Sequence, residues 1–280
     1  MPSFTHDDQR LSYSSYGEGK RVFVLLHGQL LNQRMHEPLA HALARAGHRV
    51  VTIDLLGHGD SARPREMWRY SMGQYAEQVV ALLDHLDVDQ AVIGGTSLGA
   101  NVTLEFAVLA PERARGLVVE MPVLDEGIFA AVVSFTPLLA TFKFGQPLVR
   151  LMGWLAQPIP RGPLPLLARI ALDAIRQDHS ASAEILQGLF LGRIAPNHVA
   201  RQAIELPTLV IGHAGDPVHP LADAAELSNE LPNGRLVEAN NILEMRLHPE
   251  RLTTEISTFL DACWRPQRSR ARTSRRKKAS

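Results

Sequence analysis

The sequence predicts an α/β protein with a mostly parallel central sheet flanked by helices and interrupted by a helical insertion. Three observations carry this. Short, fully apolar runs rich in Val and Ile recur along the chain, as they do in strands buried on both faces. Stretches with apolar residues at helical spacing lie between those runs, and such alternation builds a parallel sheet covered by helices. Between Pro122 and Gln202 the alternation stops and the composition turns to Pro and large apolar side chains.

The first such run is Val22–Leu26 (VFVLL), and the second is Val50–Ile53 (VVTI). A helical face follows at Tyr75, Val79, Leu82, Leu83 and Leu86. Ala91–Ile93 and Leu117–Val119 supply two more strands, with a helix-like stretch from Ala100 to Ala110 between them. The insertion then carries Phe129, Phe135, Phe142, Phe144, Trp154 and Phe190, enough for a small helical core or a cover over an apolar pocket at the ligand-binding end of the sheet. Strands resume with Thr208–Ile211 and Arg235–Glu238. A last helix places Leu252, Ile256, Phe259 and Leu260 on one face, with Pro249 and Glu250 suited to its first turn. The expected organisation is a core of residues 1–121 and 203–264, a helical lid of residues 122–202, and a basic, disordered tail of residues 265–280.

The charge pattern supports that division. Lys and Arg number 29 and Asp and Glu number 29, a formal net charge of zero. Arg265, Arg268, Arg270, Arg272, Arg275, Arg276, Lys277 and Lys278 fall in the last segment, which holds no acid. Removing those eight leaves 21 bases to face all 29 acids, so an acidic body carries a basic tail. An acidic body argues against nucleic-acid binding by the core. The tail itself suits weak, salt-sensitive attachment to anionic lipid or nucleic acid. The single Cys263 excludes an internal disulfide, and no metal-ligand spacing appears. The first ten residues are polar, with Asp7 and Asp8 and no apolar run behind a basic start, so no secretory leader is expected. Gly127–Phe142, with Pro137 inside it, falls short of the ~20 apolar residues of a membrane span. A reducing, cytoplasmic setting is the expectation. No pattern sets an oligomeric state.

The chemistry-bearing motif is Gly95-Thr96-Ser97-Leu98-Gly99, a G-x-S-x-G between a strand and a helix. That context makes a sharp turn that presents the serine at the sheet edge, while the small flanking residues let strand and helix pack closely. His27-Gly28-Gln29 follows the first strand. Asp54-Leu55-Leu56-Gly57-His58-Gly59-Asp60-Ser61 follows the second, and Gly212-His213-Ala214-Gly215-Asp216-Pro217-Val218-His219-Pro220 follows the strand after the insertion. With these motifs the chain resembles the α/β-hydrolase superfamily, in its lidded esterase, lactonase and lipase-like branch, over residues 10–262. The resemblance implies the α/β-hydrolase fold and no cofactor. It also implies Ser97 as nucleophile, Asp216 as the acid that orients the base, and the backbone N–H groups of Gln29 and Leu98 as oxyanion donors.

The same resemblance places a histidine seven residues before Pro249, in the loop after the last strand. That position is Ile242, which cannot accept a proton. Three readings follow. His248 could act as base through a rearranged loop; another histidine, such as His219 or His213, could swing in; or the triad is incomplete. His27 and His58 occupy positions that are mostly structural in the family. Glu120, at the end of Leu117–Val119, reads either as a carboxylate paired with a basic neighbour or as an auxiliary acid or base. The expected function is a serine hydrolase of an apolar carboxylic ester or lactone. The alternative is a non-catalytic small-molecule receptor or carrier lacking the triad histidine, and a third is an interaction protein using the tail.

Overall fold

The computed structural model describes residues 1–265; the basic tail beyond them lies outside the described residues. In chain order the elements are β1 (Ser3–His6), β2 (Gln9–Tyr16), β3 (Val22–Leu26), α1 (Glu37–Arg45), β4 (Arg49–Ile53), α2 (Met72–His85), β5 (Ala91–Thr96), α3 (Leu98–Leu109) and β6 (Ala114–Glu120). Five helices follow: α4 (Ile128–Phe144), α5 (Gln146–Ala156), α6 (Leu166–Arg176), α7 (Ser182–Leu191) and α8 (His198–Gln202). The core then closes with β7 (Thr208–His213), α9 (Leu221–Glu230), β8 (Gly234–Ala239), α10 (Glu244–Leu247) and α11 (Glu250–Cys263).

The eight strands form one sheet in the order β1-β2-β4-β3-β5-β6-β7-β8. All pairings from β4 to β8 are parallel, as the apolar runs predict. The β1–β2 hairpin and its antiparallel pairing to β4 were not among the expected strands. Most of their side chains are exposed or half-buried, so no continuous apolar run marks them. The turn does have a local cause. Asp7 and Asp8 both adopt the left-handed region, φ 46° and 60°, the conformation that two-residue hairpin turns need and that Asp tolerates.

Strand alternation sorts the core onto two faces. Val22, Val24 and Leu26 of β3 pack on one face with Val79 and Leu83 of α2 and Val102 and Phe106 of α3. Phe23 and Leu25 face the other side, against Leu39 and Leu43 of α1 and Leu252, Ile256 and Leu260 of α11. Each such buried side chain contributes about 1.5–3 kcal/mol. Ser71 caps α2 by accepting the Gln74 N–H, worth about 1 kcal/mol.

The stretch expected to be helical is so, and its roots are tied to the core. The Asp223 carboxylate accepts the N–H groups of Leu124, Glu126 and Gly127. The Asn101 amide donates to the carbonyls of Val123 and Ile194 and accepts the Val123 N–H. Its apolar side chains divide. Phe142, Ala183 and Leu186 form a small buried cluster, whereas Phe129, Phe144 and Trp154 face outward. The last helix begins where Pro249 and Glu250 placed it. The short α10 between β8 and that helix was not foreseen.

Candidate active site

Ser97 sits on the turn from β5 to α3 with φ 55° and ψ −111°, a left-handed conformation costly for a residue with a side chain. The backbone fold around it has no room for larger neighbours. A Cβ on Gly95 would come within 2.4 Å of the Gly99 carbonyl carbon, and one on Gly99 within 2.4 Å of the Leu26 oxygen. These contacts explain why glycine brackets the serine. The Ser97 N–H donates to the Glu120 carbonyl at 2.9 Å, locking the turn to the end of β6.

The Ser97 hydroxyl has a histidine partner, and it is His219. Nε2 of His219 lies 2.8 Å from Ser97 Oγ, and Nδ1 lies 2.8 Å from Asp216 Oδ2. Both residues are on the loop between β7 and α9, mostly shielded from solvent. Asp216 Oδ1 accepts the N–H groups of Val218 and His219, at 2.8 and 3.3 Å, so the carboxylate folds its own loop into a turn that brings His219 back beside it. Burial pushes the Asp216 carboxyl up. The hydrogen bond and charge of His219 and the two N–H groups more than offset this and leave it below its ordinary value. An ionised Asp216 can only accept, so Nδ1 of His219 carries the proton and Nε2 is left to accept from the serine hydroxyl.

His248 is elsewhere. It ends α10, its backbone N–H donates to the Glu244 carbonyl, and its exposed ring makes no hydrogen bond among the described residues. The reading of His248 as base is therefore corrected on geometry: α10 takes up the loop that would have to rearrange to bring it inward. Ile242, at the position where the resemblance places a histidine, is exposed. Of the three readings, the geometry matches the second, in which another histidine, His219, reaches the serine. A signal for His219 existed in the D-x-x-H spacing and in the Ser, Asp, His chain order. The reach from residue 219 to residue 97 was not local information.

The loop after β8 supplies a cation instead. Arg246 of α10 places Nη2 3.1 Å from Glu120 Oε2 and 3.2 Å from Thr96 Oγ1, and the Thr96 hydroxyl donates to the same carboxylate oxygen. Glu120 is thus a paired carboxylate bracing the residue next to Ser97. The Arg246 partnership was not foreseen, because no motif marks it.

The remaining histidines brace loops. His27 Nε2 accepts the Leu55 N–H and Nδ1 meets the Gly28 carbonyl, joining the ends of β3 and β4. His58 Nδ1 meets the Leu56 carbonyl. Burial lowers the basicity of both. His213 points Nδ1 at the Ala214 carbonyl and Nε2 at Met121 Sδ.

Leu98 follows the serine in the chain, and Gln29 follows Gly28. The Gly28 segment lies against it, since a Cβ at Gly28 would stand 3.9 Å from Ser97 Cβ. Leu98 opens α3, where a first-turn N–H has no partner within the helix. Neither backbone N–H donates to another backbone group among the described residues. The insertion covers this corner: Leu30 packs on the Phe142 and Leu186 cluster, and the Gln177 amide donates to the Leu30 carbonyl at 2.6 Å.

Among the described residues, two clusters each bring three ligand-type side chains together, His6 with Asp7 and Glu77, and His198 with Glu226 and Glu230. Neither includes a residue of the serine site. A cavity of about 890 Å³ opens around Gln90, Pro111, Arg115 and Pro207, at the amino ends of β5 to β7 and so at the opposite end of the sheet from Ser97.

Comparison with known proteins agrees with this architecture. A family model described as alpha/beta hydrolase fold matches residues 21–242. The 3-oxoadipate enol-lactonase 2 of Acinetobacter baylyi is 25% identical over 244 residues, covering 86% of this chain and 89% of that protein. A dihydrolipoyllysine-residue acetyltransferase component of an acetoin cleaving system from Pseudomonas putida is 43% identical over 104 residues, 36% of this chain but only 26% of that protein's length. The crystal structure of a hydrolase from Pseudomonas aeruginosa PA01 superposes with a TM-score of 0.77 at 23% identity, covering 92% of this chain and 97% of that one. With its eight-stranded sheet, its serine on the β5–α3 turn and a family match over most of its length, the chain belongs to the α/β-hydrolase fold family.

Proposed function

We propose that the protein is a serine hydrolase of apolar carboxylic esters or lactones, acting through a Ser97 acyl intermediate with His219 as its base. The observation that carries this reading is the hydrogen-bonded series Ser97 Oγ–His219 Nε2, His219 Nδ1–Asp216 Oδ2. In this reading His219 Nε2 takes the hydroxyl proton as Ser97 Oγ bonds to the substrate carbonyl carbon. The oxygen that becomes negative is met by the N–H groups of Gln29 and Leu98, with one such donor worth about 2.7–4 kcal/mol. The imidazolium, stabilised by ionised Asp216, returns the proton to the leaving oxygen as the C–O bond breaks. Water then attacks the acyl group, losing a proton to His219, and the acid is released with Ser97 restored.

The preference for an apolar substrate is supported by the insertion, whose Phe142 and Leu186 pack over Leu30 beside the oxyanion loop. The enol-lactonase relative supports a lactone or ester as the bond class. A fluorophosphonate probe tests the reading. Stoichiometric labelling of the wild type, lost in Ser97→Ala, is expected. A second reading, a receptor or carrier without turnover, draws on Ile242 at the position where the resemblance expects a histidine. An unlabelled wild type that still binds small esters would favour it.

A further inference from the structure

We propose that the helices α4 and α5 form a docking surface for anionic phospholipid membranes. Phe129, Val133 and Phe144 on α4 and Leu148, Leu151 and Trp154 on α5 are all exposed, with Phe129, Phe144 and Trp154 at 79%, 80% and 70%. The opposite side of α4 is already committed to the protein through Ala131 and Phe142. Large apolar side chains left outward in this number on two adjoining helices mark an interaction surface, since single ones scattered over a surface are ordinary.

Charge identifies the occupant. Residues 127–172 contain no Asp or Glu, although the chain has 29 of them; α4 and α5 carry Lys143 and Arg150, and beyond them Arg169 follows Arg161, which is paired with Glu37 and Asp173. Acids stand immediately on either side, at Asp125, Glu126 and Asp173. Lys143 and Arg150 are exposed on the two helices and form no ion pair among the described residues. An otherwise acidic body therefore presents two helices that are apolar outward and carry cations but no acid of their own, the combination that fits an anionic bilayer surface. The eight bases from residue 265 onward add a second cationic signal, and peripheral attachment generally takes two.

The helices suit lying on a bilayer rather than crossing it. Among the described residues no single helix is long and apolar enough to span one, and α4 and α5 pass that test only jointly, across a 91° bend. The face belongs to the insertion that also packs on Leu30, so docking would bring the proposed hydrolase site near a source of apolar acyl substrate.

The test is flotation of the full chain with vesicles of phosphatidylcholine and phosphatidylglycerol against vesicles of phosphatidylcholine alone. Binding to the anionic vesicles, weakened by salt, is expected. The double substitution Phe129→Asp with Phe144→Asp should weaken it at least about tenfold, the scale of one large apolar side chain kept out of the bilayer, with turnover of a short soluble ester unchanged. Replacing the eight tail bases by Gln in the full chain should weaken binding yet leave it dependent on Phe129 and Phe144. The proposal is overturned by no flotation, or by binding that the tail replacement abolishes and the Phe substitutions leave intact. Stronger capture by a DNA duplex than by vesicles would also overturn it, as would a dimer that the Phe substitutions split into monomers in light scattering. Because flotation does not depend on turnover, it can fail or succeed independently of the hydrolase reading.

Discussion

At the residue scale the site turns on which side chain faces Ser97. An Asp216 carboxylate kept ionised fixes the tautomer of His219, and that tautomer leaves Nε2 free to receive the serine proton. Ser97 and Asp216 were legible because each is announced by its immediate neighbours: glycines that a Cβ would drive into backbone, and a loop motif at the end of a strand. His219 was visible only as one histidine among several, since its role depends on how the β7–α9 loop turns back toward a residue 122 positions away. Glu120 illustrates the same limit from the other side. Its place at a strand end was readable, but its partner Arg246 was not. That pair is about nine-tenths buried on both sides, so Arg246→Met should leave an unpaired carboxylate beside the elbow and cost about 3 kcal/mol, read as a lowered urea midpoint with unchanged slope. The double change Arg246→Met with Glu120→Gln should recover a large part of that loss, because no buried charge is then left unpaired.

At the element scale the decisive piece is α10, four residues that no periodicity could announce. Its position rests on Glu244, buried at the helix start, which accepts the Arg251 guanidinium at 2.8 and 2.9 Å and also the Asn240 N–H. The Arg251 hydrogen bond holds the Glu244 carboxyl below its ordinary value, outweighing its burial. A depressed carboxylate pKa contributes stability that is complete above its unfolded value and fades as pH falls through the folded one. Glu244→Gln should accordingly cost about 1 kcal/mol at neutral pH, Arg251 being partly exposed, and the gap to wild type should narrow in acid. Chemical denaturation at the two pH values checks this; a gap that widens in acid would show that another partner holds α10. The parallel strands β3 to β7 were legible because burial on both faces writes a continuous apolar run, whereas the β1–β2 hairpin, half exposed, wrote only two adjacent Asp residues in its turn.

At the scale of the whole molecule, an acidic core supports a cationic, outward-apolar insertion and ends in a basic segment. All eight strands, both faces of the core and the Arg115–Trp264 contact lie within residues 1–265. A chain ending at Arg265 should therefore melt within about 2 °C of the full chain, whereas a larger drop would mean that the basic segment packs on the core. In the proposed mechanism the family's fold here draws its histidine from the loop carrying the acid, not from the loop after the last strand. Hydrolysis of a short p-nitrophenyl ester by His219→Ala and by His248→Ala, measured side by side, tests it most directly. His219→Ala should lose up to about a millionfold in turnover, the scale seen when a triad histidine is removed, with His248→Ala close to wild type; full activity in His219→Ala with its loss in His248→Ala would contradict the account.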